Sequence, residues 1–170
     1  MLKEAVPGIS TVAYLHDANY GPLASTYFDP AKRIGVRVAI LGVKAAKDID
    51  GALATAPPGR TRGVVVENSP LFYDHFARIA QLSIRSRLVT IAHSPEFAEA
   101  GGFLSYGAAP WSAIRDVVPV LDKILKGVNP ADIPVWQPTK FTLVINRKTA
   151  KALGLTIPPS LLQRADEVIQ

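Results

Sequence analysis

The chain has 170 residues, 48% of them hydrophobic and 19% charged, which is enough for one sizeable buried core and too apolar for a disordered polymer. No apolar run reaches the ~18 residues of a membrane span, and Met1-Leu2-Lys3-Glu4 leads into a polar turn where a secretory signal needs an apolar stretch. A net charge of +5 is scattered, with its densest group (Lys140 to Lys151) interleaved with apolar residues, which argues against nucleic-acid binding; the lack of cysteine excludes disulfides, thiolate metal sites and thiol catalysis.

In chain order, residues 10–15 predict a short apolar strand, followed by the turn-rich loop His16-Asp17-Ala18-Asn19-Tyr20-Gly21-Pro22. A helix is expected over 23–34, kinked or split at Pro30 and closed by Gly35. The apolar run 36–43 reads as a parallel strand covered on both faces. A short helix over 48–56 ends at Pro57-Pro58-Gly59, a third strand covers 63–66, and the polar turn Glu67-Asn68-Ser69-Pro70 follows. Phe72, Phe76, Ile79, Ala80 and Leu82 recur at helical spacing up to Ser86, and a fourth strand covers 88–92. Four strand-then-helix units in series imply a parallel sheet with helices on both faces.

After Gly101-Gly102, read as a hinge-type crossing, a strand over 103–106 precedes a helix. Trp111, Ile114, Val117, Val118, Leu121, Ile124 and Leu125 make one apolar stripe along that helix, interrupted by Pro119. Residues 129–134 form a linker. Phe141, Leu143 and Ile145 then alternate with Thr142 and Val144 in a strand over 139–146, where Asn146 caps a short helix that Gly154 stops. A last amphipathic helix is expected over 160–169, opened by Pro158-Pro159.

In open parallel sheets ligands bind beyond the carboxyl ends of the strands. The loops there pair polar residues with aromatics, and position alone nominates Asn19, Asn68, Ser69, Phe72, His93 and Ser94 as contacts for a small polar ligand. His16, His75 and His93 show no helical ligand spacing; His16 and His93 end different strands, and a hydrogen-bonding role is favoured over a metal site. Neither a Gly-x-Ser-x-Gly elbow nor a Gly-x-x-x-x-Gly-Lys loop is present, and nothing in the pattern asks for an enzyme or a cofactor.

Several motifs carry a more specific likeness. They are Gln137-Pro138-Thr139-Lys140-Phe141, Leu143-Val144-Ile145-Asn146, Lys148-Thr149-Ala150-Lys151-Ala152-Leu153-Gly154-Leu155 with Thr156-Ile157-Pro158-Pro159-Ser160-Leu161-Leu162, and Arg164-Ala165-Asp166-Glu167-Val168-Ile169. Upstream, Lys3-Glu4-Ala5-Val6-Pro7-Gly8-Ile9-Ser10, Glu99-Ala100-Gly101-Gly102-Phe103-Leu104-Ser105-Tyr106-Gly107, Asp122-Lys123-Ile124-Leu125-Lys126-Gly127 and Pro130-Ala131-Asp132-Ile133-Pro134 follow in the same order. Together they resemble the substrate-binding proteins of ABC transporters of the tryptophan/tyrosine type.

The resemblance implies a Rossmann-like three-layer α/β fold, the second lobe of a type I periplasmic binding protein plus the returning segment of the first lobe. On that reading 10–98 is the second lobe, 103–127 belongs to a first lobe absent from this chain, and 137–170 supplies the hinge-crossing strand and C-terminal helices. It further implies a non-enzymatic importer component in the periplasm, an amino-acid-like or aromatic solute, no metal, and an ABC permease as partner. The chain translated alone is expected in the cytoplasm. The stripe on 103–127, without a sheet to cover, is expected to drive self-association. Two other readings of the α/β pattern remain open: a self-contained flavodoxin-like enzyme or phosphate-binding domain, and an effector-binding sensor domain.

Overall fold

The computed structural model describes residues 1–57, 62–108, 110–135 and 137–170, and at residues 25 and 110–116 the backbone alone. Strands form where β-branched and apolar residues run together between turns. They are β1 (Thr11–Asp17), β2 (Arg37–Val43), β3 (Arg62–Val66), β4 (Leu88–Ala92), β5 (Leu104–Ala108), β6 (Phe141–Asn146) and β7 (Glu167–Ile169). The sheet they build has the order β2-β1-β3-β4-β5-β6-β7. β1 to β5 run parallel, β6 returns antiparallel to β5, and β7 is parallel to β6. The helices are α1 (Leu2–Ala5), α2 (Asp29–Arg33), α3 (Ile49–Ala54), α4 (Pro70–Tyr73), α5 (Phe76–Arg85), α6 (Pro95–Glu99), α7 (Pro110–Leu125), α8 (Arg147–Ala152) and α9 (Pro159–Gln163).

Alternation along the strands sends successive side chains to opposite faces and so builds two cores. Ala13, Leu15, Val64, Val66 and Leu88 pack with Ile49 and Leu53 of α3, Phe76 and Ile79 of α5 and Phe97 of α6. Val12, Val89, Leu143 and Ile145 pack on the other face with Ala5 of α1, Ala150 of α8 and Leu161 of α9. The result is a three-layer α/β fold. Arg164 Nη2 meets Glu4 Oε1 at 2.5 Å and ties the turn after α9 to the first helix.

Local chemistry explains the joints. The Asn146 side chain accepts the Thr149 amide at 2.9 Å and donates to the Ala98 carbonyl at 2.9 Å, so the expected cap also anchors α8 to α6. Gly154 at φ 70° ends the helix, and the Leu155 amide reaches back to the Ala150 carbonyl at 2.9 Å. Gly107 permits the close approach of β5 to β4, because a Cβ there would stand 2.0 Å from the His93 carbonyl oxygen.

Several expectations need correction. The helix over 23–34 is a 3-10 turn at Ser25–Phe28 followed by the five residues of α2, with Pro30 in its first turn, where a missing amide costs nothing. This short cover and its place at the sheet's edge leave Arg37, Ile40 and Gly42 of β2 exposed, so β2 is not buried on both faces. The helix over 72–86 divides into α4 and α5 around Asp74 and His75. The helix over 160–169 stops at Gln163; the Asp166 carboxylate accepts the Leu143 amide at 2.8 Å, the Asp166 amide donates to the Leu143 carbonyl at 2.9 Å, and the tail joins the ladder as β7.

Gly101-Gly102 is a packing turn within the fold: Gly101 takes φ 102°, and a Cβ on Gly102 would stand 2.1 Å from the Phe97 ring. The strand expected over 103–106 is β5, which runs to Ala108 in the same sheet, with Phe103 and Leu104 fully buried. Of the turn Pro57-Pro58-Gly59, Pro58 and Gly59 lie outside the described residues, as do the side chains of Trp111 and Ile114.

Candidate functional site

The topology itself marks a place. β1 connects outward to β2 and the chain then crosses to β3 on the other side of β1, so the crevice beyond the carboxyl ends of β1 and β3 is the switch point where open sheets take ligands. His16 on β1 and Glu67 just past β3 meet there. His16 Nδ1 and Glu67 Oε2 stand 2.9 Å apart, with the two side chains 6% and 13% exposed. The other ring nitrogen of His16 faces the Gly21 carbonyl at 2.8 Å. Both ring nitrogens thus face oxygen atoms within hydrogen-bond distance.

The Asp17 amide donates to Glu67 Oε2 at 2.7 Å. Asp17 in turn accepts the Asn19 amide at 3.1 Å and the Asn19 side chain at 2.8 Å, and that side chain also donates to the Lys44 carbonyl at 3.0 Å. Tyr14 reaches Glu67 Oε1 at 3.4 Å and stands 5.9 Å from the Tyr27 ring, edge-on. Burial first, then the Tyr27 hydroxyl and the Glu67 charge, push the Tyr14 phenol far above its ordinary range, so it serves as a neutral hydrogen-bond donor. The network holds the loop after β1 in one shape.

Further along the same edge, the loop after β4 carries His93, Ser94 and Glu96. Ser94 is buried and its hydroxyl donates to the Glu96 carboxylate. Burial pushes the Glu96 carboxyl up, but the Ser94 hydroxyl, its own backbone amide and Tyr73 together hold it below its usual value. Glu96 also raises the phenol of the exposed Tyr73. Burial pulls the His93 imidazole down against the opposing pull of Glu96, and its Nδ1 is buried without a protein partner among the described residues. In the middle of β5, Tyr106 stacks on Phe141 of β6 with centroids 5.6 Å apart, both rings partly exposed.

Five of the six nominated residues therefore share one edge: Asn19 and Asn68 exposed, Ser69 and Ser94 buried with their hydroxyls at helix starts, and His93 between. Phe72 is the exception, fully buried in the core under α5, because the Ser69 hydroxyl caps α4 at the Phe72 amide (3.3 Å) and turns the ring inward. His16 and His93 do not meet, since β3 lies between their strands. Among the described residues no group of three His, Cys, Asp or Glu side chains could hold a metal ion. Glu67, Asp17, Tyr73, Glu96 and Tyr106 are absent from the nominated set. Reading which strand ends border the switch point would have found Glu67 and Asp17.

Nothing among the described residues closes over this edge as a complete pocket. Among the described residues cavities lie elsewhere, one of about 670 Å³ between α2 and the start of β2, one of about 630 Å³ beside α8 and one of about 380 Å³ at Thr11, Arg37 and Pro57. A polar, carboxylate-bearing edge flanked by exposed rings is suited to hold one side of a small solute.

Comparison with known proteins agrees. The family described as ABC transporter substrate binding protein matches residues 1–169. A conserved domain protein from Vibrio cholerae O1 biovar El Tor superposes with a TM-score of 0.83 at 20% identity, covering 98% of this chain and 57% of that one. An ABC domain in complex with L-Trp from Streptococcus pneumonia gives 0.83 at 23% identity, covering 99% and 59%. A ligand-free, open substrate binding protein with adhesive properties from Clostridium difficile gives 0.73 at 18%, covering 99% and 57%. The chain thus spans less than two thirds of the length of these structures. No curated protein sequence matches.

Proposed function

The chain belongs to the ABC transporter substrate binding protein family, and from that premise we propose that it supplies one wall of a two-walled solute cleft for an importer, without catalysis. The observation that carries the reading is the edge just described. Polar groups line the ends of β1, β3 and β4, those after β1 and β3 in one hydrogen-bonded network and Ser94 with Glu96 in a second, and no second wall faces them among the described residues. The solute is amino-acid-like. Glu96, kept ionised, suits an ammonium group, and the exposed pair Tyr106 and Phe141 suits an apolar or aromatic side chain. The complex of a similar domain with L-Trp supports this class.

The fold units of the proposal follow the sheet. Residues 10–98 with 137–170 form the second lobe, and the segment that reaches toward a first lobe begins at Pro110, after β5. Membership supports action outside the cytoplasm beside an ABC permease. Along α7, Val117, Val118, Leu121, Ile124 and Leu125 are 39–77% exposed, an apolar run suited to a facing lobe or, failing that, to another copy of the chain.

Thermal-shift screening with the twenty amino acids tests the reading, using the chain alone and the chain fused behind an N-terminal lobe of the family. Stabilisation by one or a few amino acids in the fusion is expected, with little in the chain alone. A fusion that folds and responds to none of them overturns the amino-acid assignment.

A further inference from the structure

Because β6 runs antiparallel to β5, its carboxyl end and the helix after it lie at the opposite end of the sheet from His16 and Glu67. The cavity of about 630 Å³ opens there, beside α8 and α9. Arg147, Lys148 and Lys151 form its polar wall, and Leu155, Ile157 and Leu162 line its apolar side. Thr156 and Gln170 complete the lining, no Asp or Glu side chain is part of it, and no ion pair among the described residues engages any of the three cations. Arg147 and Lys151 are four apart on one helix and Lys148 and Lys151 three apart, spacings at which like charges oppose the helix they sit on. An anion in the cavity removes that repulsion.

We propose that this cavity binds an amphiphilic anion, with a carboxylate or phosphate head among Arg147, Lys148 and Lys151 and a short apolar body against Leu155, Ile157 and Leu162. Charge complementarity selects the head, and the Arg147 guanidinium offers paired donors to two of its oxygens. The volume lies within the range of small-molecule sites. The polar edge at β1 and β3 stays open, so both ends of the sheet bind at once. A free metabolite and the head of an anionic lipid share this chemistry.

The test is a titration of the whole 170-residue chain with octyl phosphate below its micelle concentration, followed in 1H–15N correlation spectra. Shifts over 147–157 and at Leu162 are expected, with octanol, which lacks the head, at least about tenfold weaker. Lys148→Glu/Lys151→Glu weakens binding by at least the same factor, and the milder Lys148→Gln/Lys151→Gln separates lost charge from any lost fold. Shifts confined to α7, or an unchanged midpoint in the glutamine variant, overturn the proposal. Given binding, charge-dependent pelleting with phosphatidylglycerol vesicles assigns a lipid source, and its absence assigns a free anion.

Discussion

His16 and Glu67 show how one contact shapes a ligand edge. Each side chain is nearly buried, so removing one partner leaves a buried polar atom of the other without its hydrogen bond. Glu67→Ala is expected to destabilise the chain by about 2 kcal/mol. It also frees the Asp17 amide and loosens the 17–21 loop. Urea unfolding measures the first effect, and a loss below ~1 kcal/mol contradicts a buried pair. His93 makes a pH prediction. Burial lowers its imidazole below 6.5, so the unfolded chain binds a proton that the folded chain resists, and stability present above pH 6.5 is lost as the pH falls through the folded value. Glu96, lowered from 4.5, adds a further loss below that pH. The fall in Tm between pH 7 and pH 5 is expected to be smaller in His93→Gln than in the parent; an equal fall assigns the loss elsewhere. At this scale the sequence was readable for caps and stops such as Asn146 and Gly154, whose chemistry is local. It was not readable for Phe72, whose inward turn depends on the Ser69 cap, nor for Glu67, whose role depends on β3 lying beside β1.

At the scale of elements, a long-range contact overrode the helix expected over 160–169, and the split expected at Pro30 left 23–34 as a 3-10 turn and a five-residue helix. The Asp166 carboxylate fastens the tail to Leu143, across 23 positions of sequence, and Pro30 leaves too little helix to cover β2. The strands fared better, because short apolar, β-branched runs bounded by turns mark strands covered on both faces, and β4 was found residue for residue. α7 carries the sharpest prediction here. Its exposed Val118 and Leu121 give the chain an apolar surface that water penalises. Self-association at tens of micromolar is expected by light scattering on a size-exclusion column, and Val118→Glu/Leu121→Glu is expected to return it to monomer. A parent that elutes as monomer, or a variant that associates as before, contradicts a role for this face.

For the whole molecule, the fold class was legible because strand and helix alternate along the chain and the C-terminal motifs resemble one family. The expectation of a two-walled cleft came only through that resemblance, since composition gives no sign of a facing wall. A single wall leaves much of a small solute in water, so its contacts barely offset the freedom lost on binding. The direct measurement is an amide-shift titration of the chain with whichever amino acid stabilises the two-lobed fusion. One wall of a clamp predicts a Kd of ~1 mM or weaker, with shifts along 16–21, 67–73, 93–96 and at Tyr106. Submicromolar binding by the chain alone, or shifts that avoid those residues, would contradict it.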